Sequence, residues 1–290
     1  MLKDSELTPC FIVGAGRSGT KFLRDLLSAS SDVAIIPYDV GYVWRYGNEY
    51  FPSDEFSPDM ANEKTIHYIR RVLPKLVSKE SNKNAKILLE KSVPNTLRVA
   101  YLNAIYPDAK FIHLIRDGRA VVESSHRMWT SPPESGYLLK KLQYFPWSNY
   151  RYAMWYFSNM LKGRIRSERG QYIWGPRYRG IEDDLKSLSL EQVCARQWRR
   201  CVELSQDQMS GISPERVFEV RYEDFMLGQN TLELICHFIG ISNIEPVLEA
   251  YKNKASPTHI DKWRSRAGTI NFGVVMEEIG PLLEGLGYTD

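Results

Sequence analysis

The stretch Cys10-Phe11-Ile12-Val13-Gly14-Ala15-Gly16-Arg17-Ser18-Gly19-Thr20-Lys21-Phe22-Leu23 decides the fold. A short apolar run feeds a glycine-rich turn, and the turn opens into an amphipathic segment in which Phe22, Leu23, Leu26 and Leu27 recur at helical spacing. The pattern predicts a strand, an anion-binding loop and a helix that ends near Ser28 to Ser31. In such a loop backbone N–H groups approach an anion, while the helix N-terminus adds unpaired donors and the positive end of its dipole. A phosphate or sulfate is the expected guest. The Mg²⁺-dependent version, G-x-x-x-x-G-K-[ST], needs Lys directly after its last glycine and a hydroxyl next. Gly14 and Gly19 have that spacing, but Thr20-Lys21 stands in the reverse order, so this loop is expected to bind its anion without the usual metal ligand.

Working outward, Val33-Ala34-Ile35-Ile36 reads as a second buried strand and Lys86-Ile87-Leu88-Leu89 as a third. Residues just past the carboxyl ends of parallel strands are where ligands bind. That places Asp39 after the second strand and Glu90-Lys91-Ser92-Val93-Pro94-Asn95 after the third; the bland alternative for Glu90 and Lys91 is a surface ion pair. Lys110-Phe111-Ile112-His113-Leu114-Ile115 is the clearest strand, and Arg116-Asp117-Gly118-Arg119 turns from it into a helix carrying Ser124. Arg116, a forked charged donor, and Ser124, a neutral one two turns on, are placed to converge on one phosphate. A fifth strand, Val217-Phe218-Glu219-Val220, leads into Arg221-Tyr222-Glu223-Asp224.

Together, Gly-x-Gly-Arg-Ser-Gly-Thr before an apolar helix and, about a hundred residues later, Arg116 with Ser124 at a spacing of eight resemble the sulfotransferases that use 3′-phosphoadenosine 5′-phosphosulfate (PAPS). The resemblance implies an α/β fold, a parallel sheet of the phosphate-loop type with helices on both faces. It implies PAPS as co-substrate, 3′-phosphoadenosine 5′-phosphate (PAP) as product and no metal. Gly16, Arg17, Ser18, Gly19, Thr20 and Lys21 would form the 5′-phosphosulfate loop, and Arg116 and Ser124 would hold the 3′-phosphate. Tyr222 would lie near the adenine, Lys91 would reach the transferred group, and Lys262 would be the basic contact of a late closing segment, with Ser256 a further candidate there. The family commonly has Glu-Lys-Thr/Ser-Pro after its third strand; this chain has one extra residue, Val93. The final helix resembles the end of tyrosylprotein and many bacterial sulfotransferases, and the resemblance is weakest in the middle third.

Sulfuryl transfer asks the protein to position two partners and to stabilise charge, a task that falls to Arg17, Lys91 and the loop N–H groups. A hydroxyl acceptor also benefits from a base. Asp39 ranks first, since sugar sulfotransferases carry a Glu the same distance past their second strand; Glu90 ranks second and His126 third. A Mg²⁺-dependent kinase using Asp117 is a rival reading, opposed by the reversed Thr20-Lys21, and a non-catalytic nucleotide-binding module is another, opposed by Asp39 and Lys91.

The 290 residues, 43% hydrophobic, suffice for one large core, so a single domain over 1–290 is expected. A net charge of +3 is too mild for general nucleic-acid binding, and no stretch reaches the roughly 18 apolar residues of a membrane span. The four cysteines lack metal-ligand or paired-thiol spacing, which points to reduced thiols and a cytoplasmic location. From Trp129 to Arg179 the composition turns to Trp, Tyr, Phe and Arg, including Tyr144-Phe145-Pro146-Trp147, Trp174 and Arg177. Flat aromatic faces with forked cations suit an anionic sugar, so this insertion at about 129–180 predicts a glycan acceptor, such as a bacterial cell-surface polysaccharide precursor. Tyrosine peptides and small hydroxylated metabolites are the alternatives. Trp198, on a long helix after Ser189, and His113 are expected in the core, and 41–58 is read either as a loop over the site or as a packed surface loop.

Overall fold

The computed structural model describes residues 7–78, 81–82, 84–131 and 173–288. Strands β1 (Thr8–Val13), β2 (Val33–Ile35), β3 (Ile87–Glu90), β4 (Lys110–Ile115) and β5 (Val217–Arg221) form a parallel sheet in the order β2-β3-β1-β4-β5. Phe11 of β1 lies opposite Glu90 on one side and Phe111 on the other. The glycine-rich turn after β1 therefore emerges at the centre of the sheet's carboxyl edge, flanked by the ends of β3 and β4.

The helices are α1 (Thr20–Leu27), α2 (Gly41–Trp44), α3 (Glu63–Val72), α4 (Val99–Ile105), α5 (Gly118–Thr130), α6 (Ile181–Ser187), α7 (Leu190–Ser210), α8 (Tyr222–Leu227), α9 (Gln229–Ile239), α10 (Glu245–Lys254) and α11 (Phe272–Gly285). Successive strand residues point to opposite faces, and in this sheet both faces are covered. Cys10, Ile12, Leu89 and Leu114 pack against Leu23 of α1, Ile235 of α9 and Leu248 of α10. Phe11, Val13, Leu88 and Phe111 pack against Trp44 of α2, Ile69 of α3 and Leu102 of α4. That two-sided burial is why the strands read as unbroken apolar runs. A third cluster joins Val122 of α5, Trp198 of α7 and Ile279 of α11 near the carboxyl ends of the strands.

Pro74 ends α3 in a 3₁₀ turn, Leu73–Leu76, and Ser189 caps α7 in a reciprocal box with Gln192. Residues 41–58 are packed rather than draped over the site: Trp44 and Phe56 are buried, with Arg45 bonded to Asp54 beneath them, while Tyr50 faces solvent. Trp198 and His113 are core residues, as expected, and all four cysteines are buried and free. Of the aromatic and arginine-rich insertion, Trp129 and Tyr178 belong to the third core cluster. Tyr144 to Trp147, Arg151, Tyr152, Trp155, Tyr156, Arg164, Arg166 and Arg169 lie outside the described residues.

Candidate active site

The loop between β1 and α1 is shaped by what its glycines leave out. A Cβ on Gly14 would stand 2.5 Å from the Leu114 carbonyl oxygen of β4. At Gly19, with φ of 92°, a Cβ would be strained and would meet the Tyr222 ring at 2.6 Å. At Gly16 it would meet the Trp174 ring at 3.2 Å and Val93 Cγ1 at 3.6 Å. Arg17 is the one non-glycine residue with positive φ, 71°, among the described residues. Gly19 begins α1 without a side-chain cap, so the helix's first N–H groups are left for a guest. Ser18 is wholly buried, yet its Oγ has no partner. Thr20 is buried beside it, and Lys21 points out to solvent.

Arg116 follows β4 and crosses to the loop. Its Nη1 donates to the Arg17 carbonyl at 3.0 Å and its Nη2 to the His259 carbonyl at 3.0 Å, while the guanidinium lies 4.2 Å over the Tyr222 ring. Trp198 Nε1 fixes the Arg116 carbonyl at 3.2 Å. Ser124 Oγ accepts from Arg17 Nε at 2.9 Å and from Arg127 Nη2 at 3.3 Å. Burial, and then the neighbouring Arg127 and Arg116, pull the Arg17 pKa below the ordinary arginine value. Glu123 opposes these cations, 3.7 Å from Arg127 and 3.9 Å from Arg266. The Arg17 side chain, expected to share with Lys91 the stabilisation of charge on the transferred group, lies with Arg116 and Ser124 on the α5 side of the loop. Arg127 was not singled out from sequence; its place one turn after Ser124 on the same helix was the available signal.

Asp39 and Lys91 meet, as their places after β2 and β3 predict. Lys91 Nζ donates to Asp39 Oδ1 at 2.6 Å, and the Val93 N–H donates to Oδ2 at 3.4 Å. Glu90 and Lys91 are not a surface pair: both are buried, and Glu90 is 1% exposed. Glu90 accepts from Ser92 Oγ, Asn95 Nδ2 and Trp44 Nε1, which leaves it enclosed rather than facing an acceptor. Burial pushes its carboxyl up to about 7. His126 Nε2 sits 3.9 Å from Glu191 at the start of α7. Asp117 caps α5 and grips Arg119 at 2.9 Å, an arrangement that occupies it structurally. Lys262 is exposed, in the segment whose His259 carbonyl meets Arg116; Ser256 is bonded to Thr258. Trp174 is half-buried over Gly16, whereas Arg177 pairs with Glu182, and its backbone is clamped by Asp54.

A buried unpartnered hydroxyl, an uncapped helix start and a group of arginines only partly opposed by Glu123 fit an anion with two separated phosphate-like groups. Among the described residues no group of three or more His, Cys, Asp or Glu side chains could hold a metal ion. The family model described as "Sulfotransferase family" matches residues 9–165, more than half of the 290. The chain belongs to the sulfotransferase family. Within that family, protein-tyrosine sulfotransferase 1 of Danio rerio is 33% identical over 130 residues, 42% of this chain and 36% of that protein. This sulfotransferase-family chain thus matches about a third of that relative's length. Its fold is shared with the sulfotransferase domain from the curacin biosynthetic pathway, with a TM-score of 0.53 at 16% identity over 95% of this chain and 97% of that one. Sulfotransferase STF9 from Mycobacterium avium gives 0.51 at 11% identity, covering 97% and 77%.

Proposed function

We propose that the protein transfers a sulfuryl group from PAPS to an acceptor hydroxyl. The observation that carries this reading is the Asp39–Lys91 pair, joined through Val93 to the wall of the phosphate loop at Gly16. In this reading Ser18, Thr20 and the N–H groups of Gly16 to Lys21 hold the 5′-phosphosulfate, and Arg116, Ser124 and Arg17 hold the 3′-phosphate. Tyr222 lies at the adenine and Lys262 closes over it. Bound PAPS supplies a sulfur–oxygen bond that is ready to break toward a phosphate leaving group. Asp39 takes the acceptor's proton at Oδ2, whose one contact is long, while Lys91 orients it from Oδ1 and offers positive charge where negative charge gathers. Asp39→Asn is expected to keep PAP affinity nearly intact and to lower turnover roughly 10²–10⁴-fold. A near-normal rate would move the base to His126, and binding of ATP with Mg²⁺ but not of PAP under chelator would restore the kinase reading.

For the acceptor, the reading favours a carbohydrate hydroxyl, because the half-buried, flat and apolar Trp174 indole lies against Gly16 on the same side as Val93, whose N–H bonds Asp39. A tyrosine peptide is the second reading, favoured by the 33% identity to a protein-tyrosine sulfotransferase. Labelled PAPS with a panel of glycans, phenols and tyrosine peptides separates them. Sulfation of peptide and of no glycan ends the carbohydrate assignment. The four buried thiols suit a reducing compartment, and we place the protein in the cytoplasm on that ground.

A further inference from the structure

We propose that Glu90 and Ser92 form a positioning relay that holds Asp39 in place through the backbone N–H of Val40. The inference rests on the sulfuryl-transfer reading above and goes beyond it by naming what fixes the base. Two of the contacts that orient Asp39, from Lys91 Nζ and the Val93 N–H, fall on its own carboxylate oxygens. Those contacts weaken when the carboxylate takes up a proton, at the moment when its position matters most. The neighbouring Val40 N–H donates instead to Ser92 Oγ at 2.9 Å, a link indifferent to the charge on Asp39. On the other side of the loop, Arg24 Nη1 holds the Pro37 carbonyl at 2.8 Å.

Ser92 Oγ accepts from Val40 only if its own proton goes elsewhere, and it goes to Glu90 Oε1 at 2.5 Å. Glu90 also accepts from Asn95 Nδ2 at 2.7 Å and from Trp44 Nε1 at 3.4 Å. An ionised carboxylate accepts all three donors. A protonated one must donate, and Ser92 Oγ is the sole oxygen among its three partners; the serine then accepts from Glu90 and Val40 with both lone pairs, its own proton loses Glu90 as acceptor, and the hydroxyl must turn to find another, which loosens the Val40 bond. Glu90 and Ser92 are each 1% exposed, and neither is placed to touch an acceptor. The charged and titratable groups facing Glu90 are Asp39 and Lys91 from the adjoining loops, Arg98 behind Asn95, and Tyr106 after α4. Burial, opposed by the Ser92 hydrogen bond and reinforced by Asp39, brings the carboxyl up to about 7, so the relay changes state near neutrality.

The test compares Ser92→Ala, Ser92→Thr and Glu90→Gln with the unaltered protein by PAP calorimetry, by turnover of labelled PAPS and by hydrogen exchange at the Val40 amide. Ser92→Ala is expected to leave the PAP Kd within about twofold, to lower kcat roughly 10- to 100-fold and to reduce Val40 protection about tenfold or more. Ser92→Thr, which keeps the hydroxyl, restores both. In the unaltered protein, Val40 protection corrected for intrinsic exchange falls as pH drops through about 7, and Glu90→Gln abolishes that dependence. Unchanged Val40 protection and kcat in Ser92→Ala, no rescue by Thr, or protection independent of pH in the unaltered protein overturns the relay. The pH series needs no variant to fold. Absence of PAP binding and PAPS turnover in the unaltered protein would instead sink the sulfuryl-transfer reading, while the Val40 measurement would still decide the relay.

Discussion

Arg116 has both terminal nitrogens on backbone carbonyls and its Nε buried without a partner, so one side chain ties the β1–α1 loop to the late segment at His259 and keeps a donor in reserve. Arg116→Ala is expected to weaken PAP binding by roughly 2–5 kcal/mol. Ser124→Ala should cost about 0.5–1.5 kcal/mol. Titration calorimetry with PAP and with 5′-AMP checks the assignment: the Arg116 variant should treat the two alike, and retained discrimination would contradict it. Glu90 supplies a pH prediction. Its folded-state pKa is raised by burial from the ordinary 4.5 to about 7, so the folded protein holds a proton that the unfolded chain has released. This group therefore favours folding fully below about 4.5, and the contribution is lost as pH rises through about 7. Denaturant midpoints of Glu90→Gln should lack this decline, which is on the order of 3 kcal/mol in the unaltered protein. The sequence marked Asp39 and Lys91 as candidates because a place after an apolar run is a local property, and the structure brings the two side chains together. It did not show where Arg17 points, since that depends on a left-handed backbone at a non-glycine residue, for which no residue type gives notice.

At the scale of elements, the β1–α1 turn fits against β4 only without side chains. Gly14→Ala would push a methyl group into the Leu114 carbonyl and should cost roughly 2–4 kcal/mol, read as a fall in the denaturant midpoint. The residue that lengthens the turn after β3 has a function of its own in this structure. Val93 brings an N–H to Asp39 Oδ2, and a proline at that point has none to give. Val93→Pro is expected to lower turnover several-fold while PAP affinity is kept; an unchanged rate would show that Lys91 alone orients the carboxylate. The strands and the main helices were legible because burial on both sheet faces and on one helix face writes itself into short-range periodicity. Residues 41–58 were not, because the partners of Trp44 are Glu90 and Tyr101, far away in the chain, and an aromatic run by itself fits a loop as well as a core. The contact of Trp174 with Gly16 was hidden for the same reason.

At the scale of the molecule, distant segments are tied by buried charges. Asp54 exchanges two backbone hydrogen bonds with Arg177 through its N–H and its carboxylate, and Glu55 binds the Arg179 N–H and the Arg200 guanidinium. These ties anchor the stretch of chain that lays Trp174 on the β1–α1 loop at Gly16. Further along α7, where Ser205 meets His113, the hydrogen bond from His113 holds the Glu219 carboxyl below the usual carboxylate value. A depressed carboxyl stabilises the fold above its ordinary pKa and loses that contribution as pH falls through the folded value. Glu219→Gln should therefore lower stability at neutral pH by no more than about 1 kcal/mol, since the carboxylate is half-exposed, with the gap closing in acid unfolding curves. The same residues carry a warning for anyone who infers chemistry from shape. Ser205 Oγ lies 2.8 Å from His113 Nε2, and Glu219 lies 2.9 Å from His113 Nδ1, the serine, histidine and acid of a hydrolase in working order. Ser205 is wholly buried, and its hydroxyl is also drawn to the Cys201 carbonyl at 2.6 Å. A fluorophosphonate reagent is expected to leave Ser205 untouched in the folded protein. A three-point template search for esterases would select this trio, and what separates it from an esterase is a route by which an ester could arrive.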